Sequence, residues 1–311
     1  MARNNKNIPS SKNQEGPFFK LLVEGKFLPN QIKIKKGFGI LKRNLKSELL
    51  IENEWQKFLT SGFKLRSGDT KPSRYHFVGA KVKNGQLIIK VDPTISYRDA
   101  IGGRSLKLKK MGRKFVPVPI GVVAAIIAKT NSGEEKLGIA IRNLKHDYKP
   151  GGYSVTAGGN AQTQDKETPT ETVIREIKEE TGLSPKEIYG LICRGITYNI
   201  GSSTAGVIFF VQTHLTPVDI SSKIHDDENR IVFIPIRKKW FEKFIIETAL
   251  ASVEDGLAAM LLLGKDRYGE KWFEKMMKSL SKIWTKYIIG ENRKKMEQKV
   301  IRKLKKLTKN L

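Results

Sequence analysis

The order of apolar patterns predicts an α/β protein, and three observations carry that class. The run GVVAAIIAK, from Ile120 to Lys129 with its preceding isoleucine, is continuously apolar and of strand length, and KLGIAIR (Lys136 to Arg142) follows across Asn131-Ser132-Gly133 as its partner. The segment from Thr168 to Gly182 has the start, period and stop of a helix. Beyond it, Gly190 to Asn199 and Ala205 to Thr213 return to strand patterns, the second containing VIFFVQ, suited to burial on both faces. Alternation of this kind fits α/β or α+β packing.

In chain order, residues 1–16 are polar without apolar periodicity and are expected to be a disordered tail. An N-terminal extension over 17–116 follows. Phe18 to Phe27 and Ile32 to Leu41 read as short strands, and Lys46 to Leu59 as a helix whose apolar face is Leu49, Leu50, Trp55, Phe58 and Leu59. Tyr75 to Val82 and Gln86 to Val91 flank Asn84-Gly85, the residue pair that best tolerates the two positive φ angles of a type I′ turn, so a hairpin is expected there. The core domain is expected over 117–264, closing with a strand at Val232 to Ile236 and helices at Lys238 to Ile246 and Ser252 to Gly264. The remainder, 265–311, is a basic tail with 16 Lys and Arg against 5 Asp and Glu. Trp272, Phe273, Met276, Met277, Leu280, Ile283, Trp284 and Tyr287 recur in it at helical spacing, and Met296, Val300, Ile301, Leu304 and Leu307 make a second stripe. Such stripes are expected to pack on the N-terminal extension or on a second subunit, or to lie on RNA or an anionic membrane.

The chemistry is concentrated in AGGNAQTQDKETPTETVIREIKEETGL, residues 157–183. Thr168-Pro169 supplies an N-cap and a first-position proline, and Gly182 is the residue type that ends a helix in the left-handed conformation. On that helix Glu176, Glu179 and Glu180 stand at i, i+3 and i+4, with Cβ atoms about 5–6 Å apart, while Val173 and Ile177 form a separate apolar stripe. Three like charges on one face repel, and a hard divalent cation such as Mg2+ or Mn2+ relieves that penalty with the oxygen ligands it prefers. Arg175 is placed to orient a carboxylate, Glu167 above all, through a bidentate pair. The ordinary alternative is a solvated acidic helix face. The joint occurrence of Glu167, Arg175, three spaced acids, Gly182 and an upstream Gly-Gly argues against it.

From Glu167 onward these residues match the signature of the Nudix pyrophosphohydrolases, G-x5-E-x7-R-E-U-x-E-E-x-G-U with U a bulky aliphatic, and the chain resembles that family. One position departs: seven residues separate Gly159 from Glu167, and Ala161 stands where the family has its glycine. The resemblance implies an α/β/α sandwich with an α+β extension before it and a basic helical tail after it. It implies Mg2+ or Mn2+ on Glu176, Glu179 and Glu180, an orienting Arg175, and supporting roles for Glu167 and Gly182. It also implies Gly158 and Gly159 close to substrate phosphates, and a general base, either Glu176 or an acid of the His225-Asp226-Asp227-Glu228 loop, with Glu228 first and Asp226 and Asp227 behind it. A looser resemblance, over about residues 50–105, links Tyr97-Arg98-Asp99-Ala100-Ile101-Gly102-Gly103 to an element of a subgroup related to UDP-sugar pyrophosphatases. There Arg98 and Arg104 would bind an anionic substrate group, or the segment is a turn that packs the extension on the core. His146 and Asp147, near the expected mouth of the site, read as surface residues.

Bulk properties narrow the setting. Cys193 is the single cysteine, which excludes an internal disulfide framework and fits a reducing, cytoplasmic environment. No apolar leader opens the sequence, and the longest apolar run, Pro117 to Ala128 with two prolines, is shorter than the ~20 residues a membrane helix needs. The net charge is +27, yet residues 117–236 hold 12 basic against 14 acidic residues, so the excess lies in the flanks. Basic flanks suit RNA, DNA or another polyanion. They also suit plain compositional bias, since 43 of the basic residues are Lys and 15 are Arg. The sequence therefore leads to a metal-dependent hydrolase acting on a pyrophosphate bond in a nucleoside diphosphate linked to another moiety, a nucleotide sugar among them. An RNA 5′-end or cap pyrophosphohydrolase, and a basic RNA- or protein-binding module on a Nudix scaffold, are the alternatives. Assembly as a homo-oligomer stays open.

Overall fold

A computed structural model describes residues 14–15, 18–37, 41–60, 73–144, 148–161, 167–224 and 229–289. Gln14–Glu15, at the end of the segment expected to be a disordered tail, form a short strand β1, and the extension contributes β2 (Phe19–Phe27), with which β1 pairs, β3 (Ile32–Lys36), α1 (Leu45–Thr60), β4 (Arg74–Lys83), β5 (Gln86–Ile95), α2 (Tyr97–Gly102) and α3 (Leu106–Lys110). The core adds β6 (Ile120–Lys129), β7 (Glu135–Arg142), β8 (Tyr153–Val155), β9 (Ala157–Asn160), α4 (Pro169–Thr181), β10 (Ile188–Asn199), β11 (Ala205–Thr213), α5 (Pro217–Lys223) and β12 (Asn229–Pro235). Three helices close the described chain: α6 (Lys238–Thr248), α7 (Glu254–Tyr268) and α8 (Glu270–Ile289).

The mixed α/β class expected from the sequence is observed. The main sheet has the order β1-β2-β10-β11-β6-β7-β12, with β8 joined to β7 and β9 to β6. At its centre β11 runs parallel to β6, from Ala205 opposite Ile120 to Gln212 opposite Ile127, whereas the other pairings are antiparallel. A strand covered on both sides must be apolar at successive positions, and β6 is buried at every residue but Lys129. Its odd residues Val123, Ala125 and Ile127 meet α6, α7 and α8, while Val122, Ala124 and Ile126 face α4 and the extension. Helices thus cover one face of the sheet, and α4 with the extension covers the other.

The second sheet, β3-β5-β4, belongs to the extension. Its hairpin turns at Asn84 (φ 50°) and Gly85 (φ 72°), the conformation the Asn-Gly pair demands. Strand β5 continues to Ile95, four residues past the expected end at Val91. The extension is tied to the core by backbone pairing of Phe77 with Val118 (N–H to O, 2.7 Å) and by the Val118 N–H donating to His76 Nδ1 at 3.0 Å. Burial drives the His76 imidazole down to about 4, so it is a neutral acceptor there.

Three helices had no forecast. α2 starts at a Ser96–Asp99 capping box and α3 at a Ser105 cap. α5 starts at Thr216-Pro217, with Asp219 closing its capping box, the same local grammar as Thr168-Pro169 and Glu171. The apolar stripe of α8 packs chiefly on α6 and α7, where Trp272, Phe273, Met276 and Leu280 are buried, and meets the extension it was expected to cover through Trp284 against Phe18 (ring centroids 4.8 Å). The second stripe, Met296 to Leu307, lies outside the described residues, as do nearly all of the expected N-terminal tail, His146 and Asp147, and the loop holding Asp226, Asp227 and Glu228. Among the described residues no helix is long and apolar enough to cross a membrane.

Candidate active site

α4 is a helix for local reasons and is seated for tertiary ones. The Thr168 hydroxyl accepts from Glu171 N–H, the Glu171 carboxylate accepts from Thr168 N–H at 2.8 Å, and Gly182 takes the left-handed cap at φ 68°. These contacts hold the Glu171 carboxyl below its ordinary range, the Thr168 backbone bond being the main cause. Val173 and Ile177 are fully buried beneath β6 and fix the rotation of the helix, which leaves Arg175, Glu176, Glu179 and Glu180 toward β9 and solvent.

Arg175 is the hub. Its Nε donates to Glu167 Oε1 at 2.8 Å and its Nη2 to Oε2 at 3.3 Å, the expected bidentate pair. Its Nη1 lies 2.8 Å from Glu176 Oε1 and 2.8 Å from Glu179 Oε2. Glu180 turns to the sheet, where its Oε1 accepts from the Gly158 N–H and its Oε2 from Asn229 Nδ2, each at 3.1 Å. Thr172 Oγ1 adds a hydrogen bond to Glu167 Oε2 at 3.1 Å. Three carboxylates therefore surround one guanidinium, with the fourth held at the sheet. The Arg175 pKa is raised, chiefly by its hydrogen bond to Glu167. The Glu176 carboxyl is also held above its ordinary value, first by burial and then, against the pull of Arg175, by Glu179. Tyr75 of β4 is close enough for Glu167 to help burial raise its phenol.

Gly158 and Gly159 are where the sheet meets this cluster. A Cβ on Gly159 would lie inside the Glu176 carboxylate, with even the farther oxygen only 2.5 Å away, and a Cβ on Gly158 would press on the Val122 carbonyl at 2.9 Å. The glycines let β9 run directly under the acids.

The donor set fits a hard divalent cation. It is all carboxylate oxygen, its formal charge exceeds that of Arg175, and burial already disfavours ionised Glu176. Among the described residues no three acidic, histidine or cysteine side chains are arranged as a ready metal centre, because Arg175 draws Glu176 and Glu179 to itself and Gly158 draws Glu180 away.

The structure brings Glu167, Arg175, Glu176, Glu179, Glu180, Gly158 and Gly159 together and caps the helix with Gly182. It does not bring Arg98 to them. Arg98 Nε pairs with Glu52 Oε2 at 2.8 Å, and Nη1 with Glu48 Oε2 at 3.4 Å and Asp99 Oδ1 at 3.6 Å, so its partners are α1 and its own helix. Gly102 is packed on Ile51, and Gly103 on the Pro117 carbonyl, which is close packing of the extension rather than space for a ligand. Arg104 stacks over the Tyr148 ring at 5.2 Å, and Tyr148 donates to buried Glu254 Oε1 at 2.5 Å. One site residue carries no signal in sequence: Asn229 reaches Glu180 because β12 starts beside α4.

No protein-family model and no curated protein matches the chain. Similar solved structures include a Nudix hydrolase from M. smegmatis, RenU, at 12% identity over 48% of this chain and 85% of that one, with TM-score 0.33. The Nudix domain of Shewanella oneidensis NrtR, complexed with ADP-ribose, is 14% identical over 48% of this chain and 87% of its own, with TM-score 0.35. An Ap4A hydrolase from C. elegans is 13% identical over 48% and 98%, with TM-score 0.34.

Proposed function

We propose that the chain is a Nudix-type pyrophosphohydrolase that cleaves a pyrophosphate bond in a nucleoside diphosphate linked to another moiety. One observation carries this reading: Arg175 holds Glu167, Glu176 and Glu179 on one face of α4, while Glu180 is held at Gly158 on the strand that runs beneath them. A structural acidic face needs neither a bidentate arginine nor a glycine strand with no room for a Cβ.

Glu176, Glu179 and Glu180 are the residues that would hold Mg2+ or Mn2+, which would neutralise charge on the phosphoryl oxygens and ease ionisation of water. The chain's own contribution is positional. Arg175 fixes the rotamers of Glu167 and Glu176, and the Thr172 hydroxyl fixes Glu167 from the other side. Gly158 and Gly159 expose backbone that a phosphate can approach closely. Glu176 is the favoured general base, because a carboxyl raised by burial keeps a proton better than an exposed one and so accepts it from water more readily. Glu228, the other candidate base, lies outside the described residues.

The test is phosphate release from UDP-glucose, ADP-ribose, NADH, diadenosine polyphosphates, dNTPs and capped RNA, with Mg2+ and with Mn2+, using wild type, Glu179→Gln and Glu180→Gln. Metal-dependent cleavage of one class, reduced by orders of magnitude in both variants while they stay folded, is expected. Near-normal rates in the variants would remove the acids from the mechanism. No turnover of any member, with RNA bound equally by all three proteins, would favour the binding-module alternative.

A further inference from the structure

We infer that the outer face of the extension's three-stranded sheet binds the phosphodiester backbone of single-stranded RNA without reading its bases. Strand register places Lys35 of β3 directly opposite Lys90 of β5, and Lys33 and Lys81 on either side of Ile88 in the next row, with Lys83 opposite Gln86 beyond them. All five lysines are exposed. With strands about 4.8 Å apart and same-face neighbours about 6.6 Å apart along a strand, the ammonium groups form a flat array about 10 Å wide.

Among the described residues no acid stands at these register positions. The next residue on this face of β5, Asp92, is buried opposite His76. Some exposed lysines elsewhere are paired, as in Lys57 with Glu54 at 2.9 Å and Lys275 with Glu242 at 3.1 Å. Edge strands carry lysine to prevent unwanted pairing, which accounts for β3 and β4. It does not account for Lys90 on the central strand, where a like charge directly opposite lowers stability. A fixed anionic partner offsets that cost.

The chemistry of the face selects among polyanions. Lysine acts as a point charge that suits single phosphates, and among the described residues the face offers no aromatic ring for stacking and no arginine fork for base edges, so the contact is to phosphates rather than bases. Ile88 is 6% exposed, and none of the large exposed apolar side chains lies on these strands, so there is little to insert into a lipid surface. Gly79, beside Lys90, leaves open space above the sheet where a backbone can lie.

The experiment is fluorescence anisotropy of full-length protein with labelled oligo-U and oligo-A 20-mers, titrated over a range of KCl. Wild type is compared with the triple variant Lys33→Gln/Lys35→Gln/Lys90→Gln and with Lys57→Gln/Lys275→Gln/Lys278→Gln, which loses equal charge elsewhere. The face variant is expected to bind at least tenfold more weakly, with the slope of log K against log salt reduced by about 2, since each lost phosphate contact on a single strand removes about 0.7. The control is expected to stay within threefold of wild type, oligo-U and oligo-A to bind alike, and the face variant to unfold at or above the wild-type temperature. Equal losses in both variants, or none in the face variant, would overturn the assignment, as would tight binding to phosphatidylserine vesicles with the same lysine dependence and none to RNA. Hydrolysis of a small nucleotide substrate by the face variant reads the catalytic proposal separately, and is expected to be unchanged.

Discussion

Gly159→Ala tests the site where geometry is most restrictive. The added methyl would sit 2.5 Å from Glu176 Oε2 and nearer still to Oε1 and Cδ, whereas ordinary contact begins at 3.4 Å, so the carboxylate must move by at least ~1 Å. The backbone on either side is held: β9 is paired with β6 through Val122, and α4 is pinned by fully buried Val173 and Ile177. The soft element is the carboxylate end of Glu176, which would leave Arg175 and its present rotamer. A 1 Å misplacement of a reacting group costs about a hundredfold in rate, while one strained rotamer and one weakened ion pair cost about 1–2 kcal/mol of stability. We expect kcat on the best substrate of the panel to fall about a hundredfold, with the unfolding midpoint lowered by about 2–4 °C per kcal/mol lost. Gly158→Ala is the contrasting arm: its methyl meets the Val122 backbone and Val123, not a catalytic acid, so stability should suffer more than the Glu176 position. If Gly159→Ala turns over within threefold of wild type, the placement of Glu176 under β9 has no part in the reaction.

Glu176→Gln should show the linkage of that buried carboxyl. A carboxyl whose folded pKa lies above the unfolded one is neutral in both states at low pH, and then opposes folding increasingly as pH rises through its folded value. The stability of Glu176→Gln relative to wild type is therefore expected to increase with pH through and above the ordinary carboxylate value of 4.5, then level off, in urea melts at stepped pH. A flat difference would mean that burial of Glu176 has been misjudged. Arg98→Ala should cost about 1–2 kcal/mol in the same melts, from its charged hydrogen bonds to Glu48 and Glu52, with KM unchanged; a raised KM at normal stability would return Arg98 to the substrate. Gly182→Ala should cost about 1–2 kcal/mol for a Cβ in the left-handed region, and more if the Lys223 carbonyl, 2.7 Å from that Cβ, does not move. An unchanged melting temperature would exclude the strained cap.

Local grammar made much of this protein legible before any coordinates. The start of α4 at Thr168-Pro169, its end at Gly182, the Asn84-Gly85 turn and the two-sided burial of β6 and β11 each follow from a few adjacent residues, because capping, positive φ and side-chain period act over one or two turns. The Arg175–Glu167 pair was readable too, since a helix fixes its near neighbours in space. α5 opens with Thr-Pro-x-Asp where α4 has Thr-Pro-x-Glu, the same capping signal, and its apolar stripe is short.

What the sequence left open depends on contacts between distant segments. The ion pairs of Arg98 are made with Glu48 and Glu52, about fifty positions earlier, and no motif centred on Tyr97-Arg98-Asp99 contains them. Asn229 reaches Glu180 because β12 pairs with β7 and starts beside α4. The lysine face exists only once β3 pairs in parallel with β5, since a slip of one residue would turn Lys33 and Lys35 inward. Residue type and spacing settle what one helix or turn can do; which charges meet, and which are left facing solvent, is set by strand order and register.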